Sequence, residues 1–163
     1  QVADAIRQYY IYRTISNRTQ GDQALPTSMD QLLEGVPIPG GSKNRQILRP
    51  SAARDPLTSE REWNLVRPRS QTLIEFQQNI MFYTGNFLPQ PQGQIGQLQQ
   101  FAAPRLVAVN PGTSEGSSGS SSADEMSSGP FVGVASRSEK DSVLTYYGIE
   151  RHDQWIFTPL FRN

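Results

Sequence analysis

The chain begins with a segment, residues 1–20, whose apolar side chains recur at helical spacing. One face carries the apolar and aromatic residues Val2, Ala5, Ile6, Tyr9 and Tyr12. The opposite face carries Asp4, Arg7, Thr14 and Arg18. This pattern predicts an amphipathic helix that packs one side against the rest of the protein. Because no capping residue, initiator Met or turn residue precedes it, we expect it to be the C-terminal half of a longer helix that starts upstream.

Two isoleucines of this helix, Ile11 and Ile15, fall beside its polar side rather than on the main apolar face. They either widen the face that packs on the core or present a small apolar patch to another molecule. The first arrangement is the ordinary one for isolated apolar residues. The second makes Ile11 and Ile15 the candidate contacts with another subunit.

A short second helix is predicted over residues 25–35. Ser28 and Gln31 have the spacing of a capping box, and Gly35 is a typical C-terminal stop. The inward-facing residues of this helix are expected to be Met29, Leu32 and Leu33. Prolines and glycines over residues 37–41 then predict an irregular surface loop.

Three short apolar segments later in the chain predict strands over residues 62–66, 131–136 and 154–158. The first follows a turn signal at Asp55 and Pro56, and the alternation of Trp63 and Leu65 within it predicts one buried face. Helices followed by short strands indicate an α+β fold with an antiparallel sheet.

Between the first two predicted strands lies an insertion, residues 70–128. Its first part is apolar enough to order, and residues 106–109 could add a strand. The middle is rich in glutamine, and the Ser/Gly tract over 114–128 cannot bury enough apolar surface to order itself. We expect a partly ordered excursion from a single 1–163 domain.

Composition excludes several classes of protein. At 163 residues the chain can bury roughly 70% of the surface that it exposes when unfolded, enough for one core. The formal net charge of +0 and the lack of a basic stripe argue against nucleic acid as a partner. With no cysteine, thiolate metal sites and cysteine nucleophiles are excluded. These residues contain no apolar run long enough for a membrane span or signal peptide.

The residues that could carry chemistry favour surface roles. His152 lies beside Asp153, but no Gly-x-Ser-x-Gly motif accompanies them, so we expect an exposed histidine rather than a catalytic triad. Arg137 with the flanking serines could bind an anion. The alternative is that Arg137 pairs with Glu139 or Asp141, or covers Trp63. We therefore predict no catalytic residue, no cofactor-binding residue and no metal site.

Taken in order, several individually weak motifs form a recognisable series. They are the amphipathic helix with its tyrosine-rich end, the second helix over 25–33, the turn over 54–58, the strand over 62–66, the segment over 132–139, and residues 155–157. The series resembles the type II secretion pseudopilins, particularly the major-pseudopilin group, within the type IV pilin-like superfamily. The resemblance covers residues 1–69 and 129–163. Its structural signature residues here are Asp55, Pro56, Trp63, Gly133, Arg137 and Trp155.

The resemblance implies a pilin-like fold, in which a long N-terminal helix, truncated here, packs on a small antiparallel sheet. It also implies a leader, a peptidase site and an apolar helical segment upstream of Gln1. In such a protein the single helix sits in the bacterial inner membrane and the globular domain in the periplasm. The expected role is non-enzymatic: assembly with other pseudopilin subunits and secretion-machinery proteins into a fibre for protein export.

Two features set this chain apart from that family. Major pseudopilins bind calcium through an acidic C-terminal loop, whereas residues 155–163 contain no acidic cluster, so we expect no cofactor. The large insertion leaves two alternatives open: a minor pilin of a type IV pilus, or an adhesive or ligand-binding module that uses residues 70–128. An enzyme using His152 is a remote third.

Overall fold

The structure is a computed structural model that describes residues 1–102 and 129–161, and its fold is α+β, with an N-terminal helix and small antiparallel sheets. The helices are α1 (Val2–Ile15), α2 (Met29–Glu34) and α3 (Gln71–Tyr83). The strands are β1 (Val36–Pro37), β2 (Asn44–Arg45), β3 (Asn64–Val66), β4 (Gly133–Ala135), β5 (Asp141–Tyr146), β6 (Ile149–Arg151) and β7 (Ile156–Phe157). Single 3₁₀ segments occupy Gly21–Ala24, Gly93–Phe101 and His152–Gln154.

The central sheet has three antiparallel strands in the order β3-β4-β7. Leu65 lies opposite Val134, and Val134 lies opposite Phe157. Each strand falls inside one of the three predicted ranges but is shorter. In the last of them, Gln154 belongs to a 3₁₀ turn and the strand begins at Ile156.

Both faces of this sheet are covered by helices. Because side chains alternate along a strand, Val134 and Ala135 of β4 point to opposite faces. Val134 packs in the helix-side cluster, whose buried members are Val2, Ala5, Ile6, Leu32, Leu48, Phe131 and Val134. Ala135 packs in a second set, the insertion-side cluster, with Val66, Leu73, Phe76, Ile80, Phe101, Val132, Ile156 and others. The first turns of α1 therefore cover one face, whereas α3 covers the other together with Tyr10 of α1.

The first helix is shorter than predicted and rotated about its axis. It ends at Ile15 instead of continuing to residue 20. Its buried residues are Val2, Ala3, Ala5, Ile6 and Tyr10. Tyr9 and Tyr12, which the pattern places on the packed face, are only half-buried. The rotation has a tertiary cause, since the Tyr10 ring meets the edge of Phe101 at 5.9 Å between centroids.

The second helix lies inside the predicted range of 25–35 but begins with a different cap. Ser28 is the N-cap residue and makes no side-chain cap bond. Instead, Gln31 Oε1 accepts a 3.0 Å hydrogen bond from the Thr27 amide, while Gln31 Nε2 donates one of 3.0 Å to Thr27 Oγ1. The helix ends as predicted at Gly35, whose φ of 78° lies in the left-handed region that suits glycine.

Two small β-ribbons lie outside the predicted strands. Strands β1 and β2 pair antiparallel across the stretch predicted as a loop over 37–41. Strands β5 and β6 form a hairpin whose turn has positive φ at Tyr147 (51°) and Gly148 (75°). Alternating hydrophobicity does not predict either ribbon, because most of the side chains in them are exposed.

The insertion contributes to the core rather than forming an excursion from it. Helix α3 starts at Ser70, whose hydroxyl accepts a 3.4 Å hydrogen bond from the Leu73 amide. Leu73, Phe76 and Ile80 are buried in the insertion-side cluster. The predicted strand over 106–109 and the predicted flexible tract over 114–128 lie outside the described residues.

Candidate assembly surface

The turn at Asp55 and the end of β4, two separate motifs in the sequence, meet in space. Asp55 is completely buried, with 0% of its surface exposed. Its Oδ1 accepts a 2.9 Å hydrogen bond from the Leu57 amide, as the turn signal predicts. Its Oδ2 accepts hydrogen bonds from Ser136 Oγ at 2.7 Å and from the Arg137 amide at 3.1 Å. One carboxylate therefore closes the turn and ties it to the central strand.

Arg137 does not form the predicted pairs with Glu139 or Asp141. Its Nη1 lies 3.6 Å from Glu60 Oε2 and 3.4 Å from Glu62 Oε2, and all three side chains are exposed. The neighbouring Ser136 hydroxyl donates to Asp55 instead of pointing at a ligand. The groups considered for an anion site are thus engaged with carboxylates of the chain itself.

Gly133, a signature residue of β4, marks a close approach between β4 and the last strand. A Cβ atom at this position would lie 3.0 Å from Thr158 Cβ and 3.1 Å from Ile156 Cγ2. Those distances are shorter than carbon atoms tolerate without displacement. A larger residue at this position would therefore have to displace its neighbours on the last strand.

Trp63 belongs to the helix-side surface of the sheet. Its indole N–H donates a 3.1 Å hydrogen bond to the Ala52 carbonyl, and its ring meets Phe157 edge-on at 6.0 Å. The predicted partner on the buried face, Leu65, is 38% exposed, so that prediction is wrong. The buried residue of β3 is instead Val66, which faces the insertion-side cluster. Pro56 lines a surface cavity together with Trp63.

Trp155 lies apart from Trp63 and packs against the insertion-side cluster. Its indole N–H donates a 2.9 Å hydrogen bond to the Ile149 carbonyl in β6, and its ring lies 5.8 Å from Tyr146. The two tryptophans therefore pack against different clusters. Trp155 precedes β7 and fixes the β5–β6 hairpin against the sheet.

Ile11 and Ile15 share a stripe of α1 with Asp4 and Arg7, at spacings of three and four residues. Asp4 and Arg7 form an exposed ion pair with 3.3 Å between Arg7 Nε and Asp4 Oδ1. Ile11 is half-buried, whereas Ile15 is 55% exposed. The stripe is the side of α1 turned away from the sheet, and Ile15 is its apolar end.

A second exposed apolar group lies at the end of α3 and in the loop after it. Phe82 is 92% exposed, and Tyr83 and Phe87 are also exposed. The Tyr83 ring meets Tyr147 edge-on at 6.1 Å, which places the end of α3 beside the hairpin turn. This group, Phe82, Tyr83 and Phe87, is the aromatic edge of the insertion.

His152 is not arranged as a member of a triad with Asp153. Its Nδ1 donates a 2.8 Å hydrogen bond to the Lys140 carbonyl. The Asp153 carboxylate instead accepts two hydrogen bonds from Arg151, at 3.0 and 2.7 Å. The hydrogen bonding between Arg151 and Asp153, together with the negative charge of Asp153, raises the pKa of the Arg151 guanidinium. The Asp153 carboxylate is therefore paired with Arg151 and not with His152.

Within residues 1–102 and 129–161, no three His, Asp or Glu side chains are grouped so as to hold a metal ion. None of the helices in those two ranges has the length and apolar character needed to cross a membrane.

Comparison of the chain with family models, with curated proteins and with solved structures finds no match.

Proposed function

We propose that this protein is a non-enzymatic structural subunit of a type II secretion pseudopilus, which assembles through its N-terminal helix into a periplasmic fibre for protein export. Its partners in this role are other pseudopilin subunits and secretion-machinery proteins. The proposal includes a pilin-like fold and an upstream apolar segment that anchors the subunit in the bacterial inner membrane.

The supporting observation is the placement of α1 on the central sheet. Helix α1 packs directly on the central strand β4, with Ala5 and Ile6 buried in the helix-side cluster. The opposite stripe, ending in Ile15, is turned to solvent. A helix that is anchored by one face and open on the other can pair with the same helix of a neighbouring subunit without disturbing the domain.

Ile15→Asp tests this role in the organism that carries the gene. Because Ile15 is exposed, the substitution should change the free energy of unfolding by no more than about 0.5 kcal/mol. Fibre assembly and protein export should nevertheless fall at least tenfold, since a charge would be buried between helices. Gln78→Asp, on the exposed side of α3, is the matched control and should leave export intact. Normal export with Ile15→Asp would contradict the proposal.

The upstream gene sequence provides an independent test. A membrane-spanning helix needs about 20 consecutive apolar residues. The proposal predicts such a segment, preceded by a short leader, directly before Gln1. A start codon immediately upstream of Gln1 would exclude the anchored subunit.

The aromatic edge of the insertion favours a second candidate, an adhesive or ligand-binding module, on its own or in a minor pilin of a type IV pilus. Exposed aromatic side chains are typical of recognition surfaces. Replacing Phe82 and Phe87 together by Ser distinguishes the two roles, because both side chains are exposed and the fold should persist. Lost adhesion with intact fibres would support the module, and lost fibres would support a filament contact.

A further inference from the structure

The β5–β6 hairpin carries an apolar projection. Asp141 pairs with Arg151 and Tyr146 pairs with Ile149, so residues 142–145 have only one residue opposite them in β6. The excess residues make this part of the pairing irregular, as in a β-bulge. Val143 in this bulge is fully exposed and Leu144 is 73% exposed. We call residues 142–145 the hairpin bulge; it presents two adjacent aliphatic side chains with no cover.

Beside the bulge is an apolar cavity of about 410 Å³. It opens between the first turn of α1 and the edge of the central sheet. Its apolar lining consists of Val2, Ala3, Ala52, Pro56, Trp63, Tyr146 and Phe157. Trp63 and Phe157 meet edge-on within it, and Phe157 is 36% exposed. Such a lining fits aliphatic side chains of the kind that the hairpin bulge carries.

The charges around the two features are complementary. Arg54 lies on the cavity wall and forms no ion pair with any residue in the described ranges. The hairpin and the residues before it carry three exposed carboxylates, Glu139, Asp141 and Glu150, beside the cations Lys140 and Arg151, of which Arg151 is paired with Asp153. Opposite charges at the edge of an apolar contact guide association and set its orientation.

The bulge and the cavity are neighbours on one surface of the protein. Tyr146 lines the cavity and lies only two residues after Leu144 in the same strand. The short connection prevents the bulge from folding back into its own cavity. When a projection and its complementary cavity lie side by side, two copies related by a two-fold axis can exchange them reciprocally.

We propose that two copies of this chain associate about a two-fold axis, with Val143 and Leu144 of each copy seated in the cavity lined by Trp63, Tyr146 and Phe157 of the other. The association does not depend on the pseudopilus role proposed above. It uses the hairpin, the sheet edge and the inner side of the first turn of α1, whereas that role uses the outer stripe of α1 that ends in Ile15.

Analytical ultracentrifugation of the purified chain tests the association. The wild type should show a concentration-dependent equilibrium between monomer and dimer, weakened by added salt because the flanking charges are screened. Leu144→Asp should raise the dimer Kd at least tenfold while the far-UV circular dichroism spectrum is unchanged. Gln78→Asp, an exposed substitution on α3 outside the contact, should leave the Kd unchanged.

Cross-linking then locates the contact, and the absence of native cysteine makes each introduced thiol unique. Mixing Leu144→Cys with Ser51→Cys, which lies on the cavity wall, should give a covalent dimer with a short bis-maleimide. Leu144→Cys mixed with Gln78→Cys should give none. A wild type that stays monomeric at millimolar concentration, a dimer insensitive to Leu144→Asp, equal cross-linking in both mixtures, or a ladder of oligomers beyond the dimer would each overturn the proposal.

Discussion

The Asp55 carboxylate accepts a 2.7 Å hydrogen bond from the Ser136 hydroxyl, across 81 residues of sequence. The same carboxylate closes its own turn through the Leu57 amide. A buried charge is tolerated only when hydrogen bonds replace its hydration. Here three donors do so, which makes this carboxylate the link between the turn before β3 and the end of β4.

Removing that carboxylate should destabilise the whole domain. Asp55→Ala leaves the Ser136 hydroxyl and the Arg137 amide without their acceptor, so we expect the free energy of unfolding to fall by about 3 kcal/mol in urea titrations. Ser136→Ala removes one donor and should lower it by about 1.5 kcal/mol. Glu60→Ala, an exposed carboxylate nearby, should change it by less than about 0.5 kcal/mol. Equal stability of Asp55→Ala and the wild type would show that the hydrogen bonds are dispensable.

Adding a single methyl group at Gly133 should be costly. The new Cβ would meet Thr158 Cβ at 3.0 Å and Ile156 Cγ2 at 3.1 Å, and β4 and the last strand would have to separate. We expect Gly133→Ala to lower the free energy of unfolding by about 1–3 kcal/mol in thermal or urea denaturation. Gly41→Ala is the control, because its Cβ would lie 3.5 Å from Ile38 Cβ, an ordinary contact. The packing argument fails if both variants unfold alike.

Trp155 should stabilise the protein through both its ring and its N–H group. Trp155→Ala removes the contact with Tyr146 and the hydrogen bond to the Ile149 carbonyl, and we expect a loss of about 3 kcal/mol. Trp155→Phe keeps most of the ring contact and should lose about 1 kcal/mol. Phe82→Ala, which removes a 92% exposed aromatic ring, should be nearly neutral. Unfolding followed by circular dichroism would distinguish the three variants.

Helix α3 should be indispensable for folding even though it belongs to the insertion. Phe76 is buried and contacts the rings of Tyr146, Tyr147 and Phe161. We expect Phe76→Ala to cost about 3–5 kcal/mol, measured by urea unfolding. The adjacent exposed residue provides the control, and Glu75→Ala should cost less than about 0.5 kcal/mol. A Phe76→Ala variant as stable as the wild type would mean that α3 is an appendage.

Local patterns in the sequence determined the first two helices and the three strands of the central sheet. The helix at the N-terminus, the short helix ending at Gly35, the Asp55 turn and the positions of β3, β4 and β7 all follow from helical periodicity, turn chemistry and short apolar runs. These signals act between residues close in sequence, which is why they can be read without the fold.

Only the tertiary structure decided which faces are buried and which side chains meet. Tyr10 is buried because Phe101 packs on it, Val66 rather than Leu65 faces a core because α3 covers that side of the sheet, and Arg137 pairs with Glu60 and Glu62 across the sheet edge. Each of these contacts joins residues on different elements. The sequence of a single element therefore does not predict these contacts. Its orientation depends on partners that only the packing of the whole chain brings together.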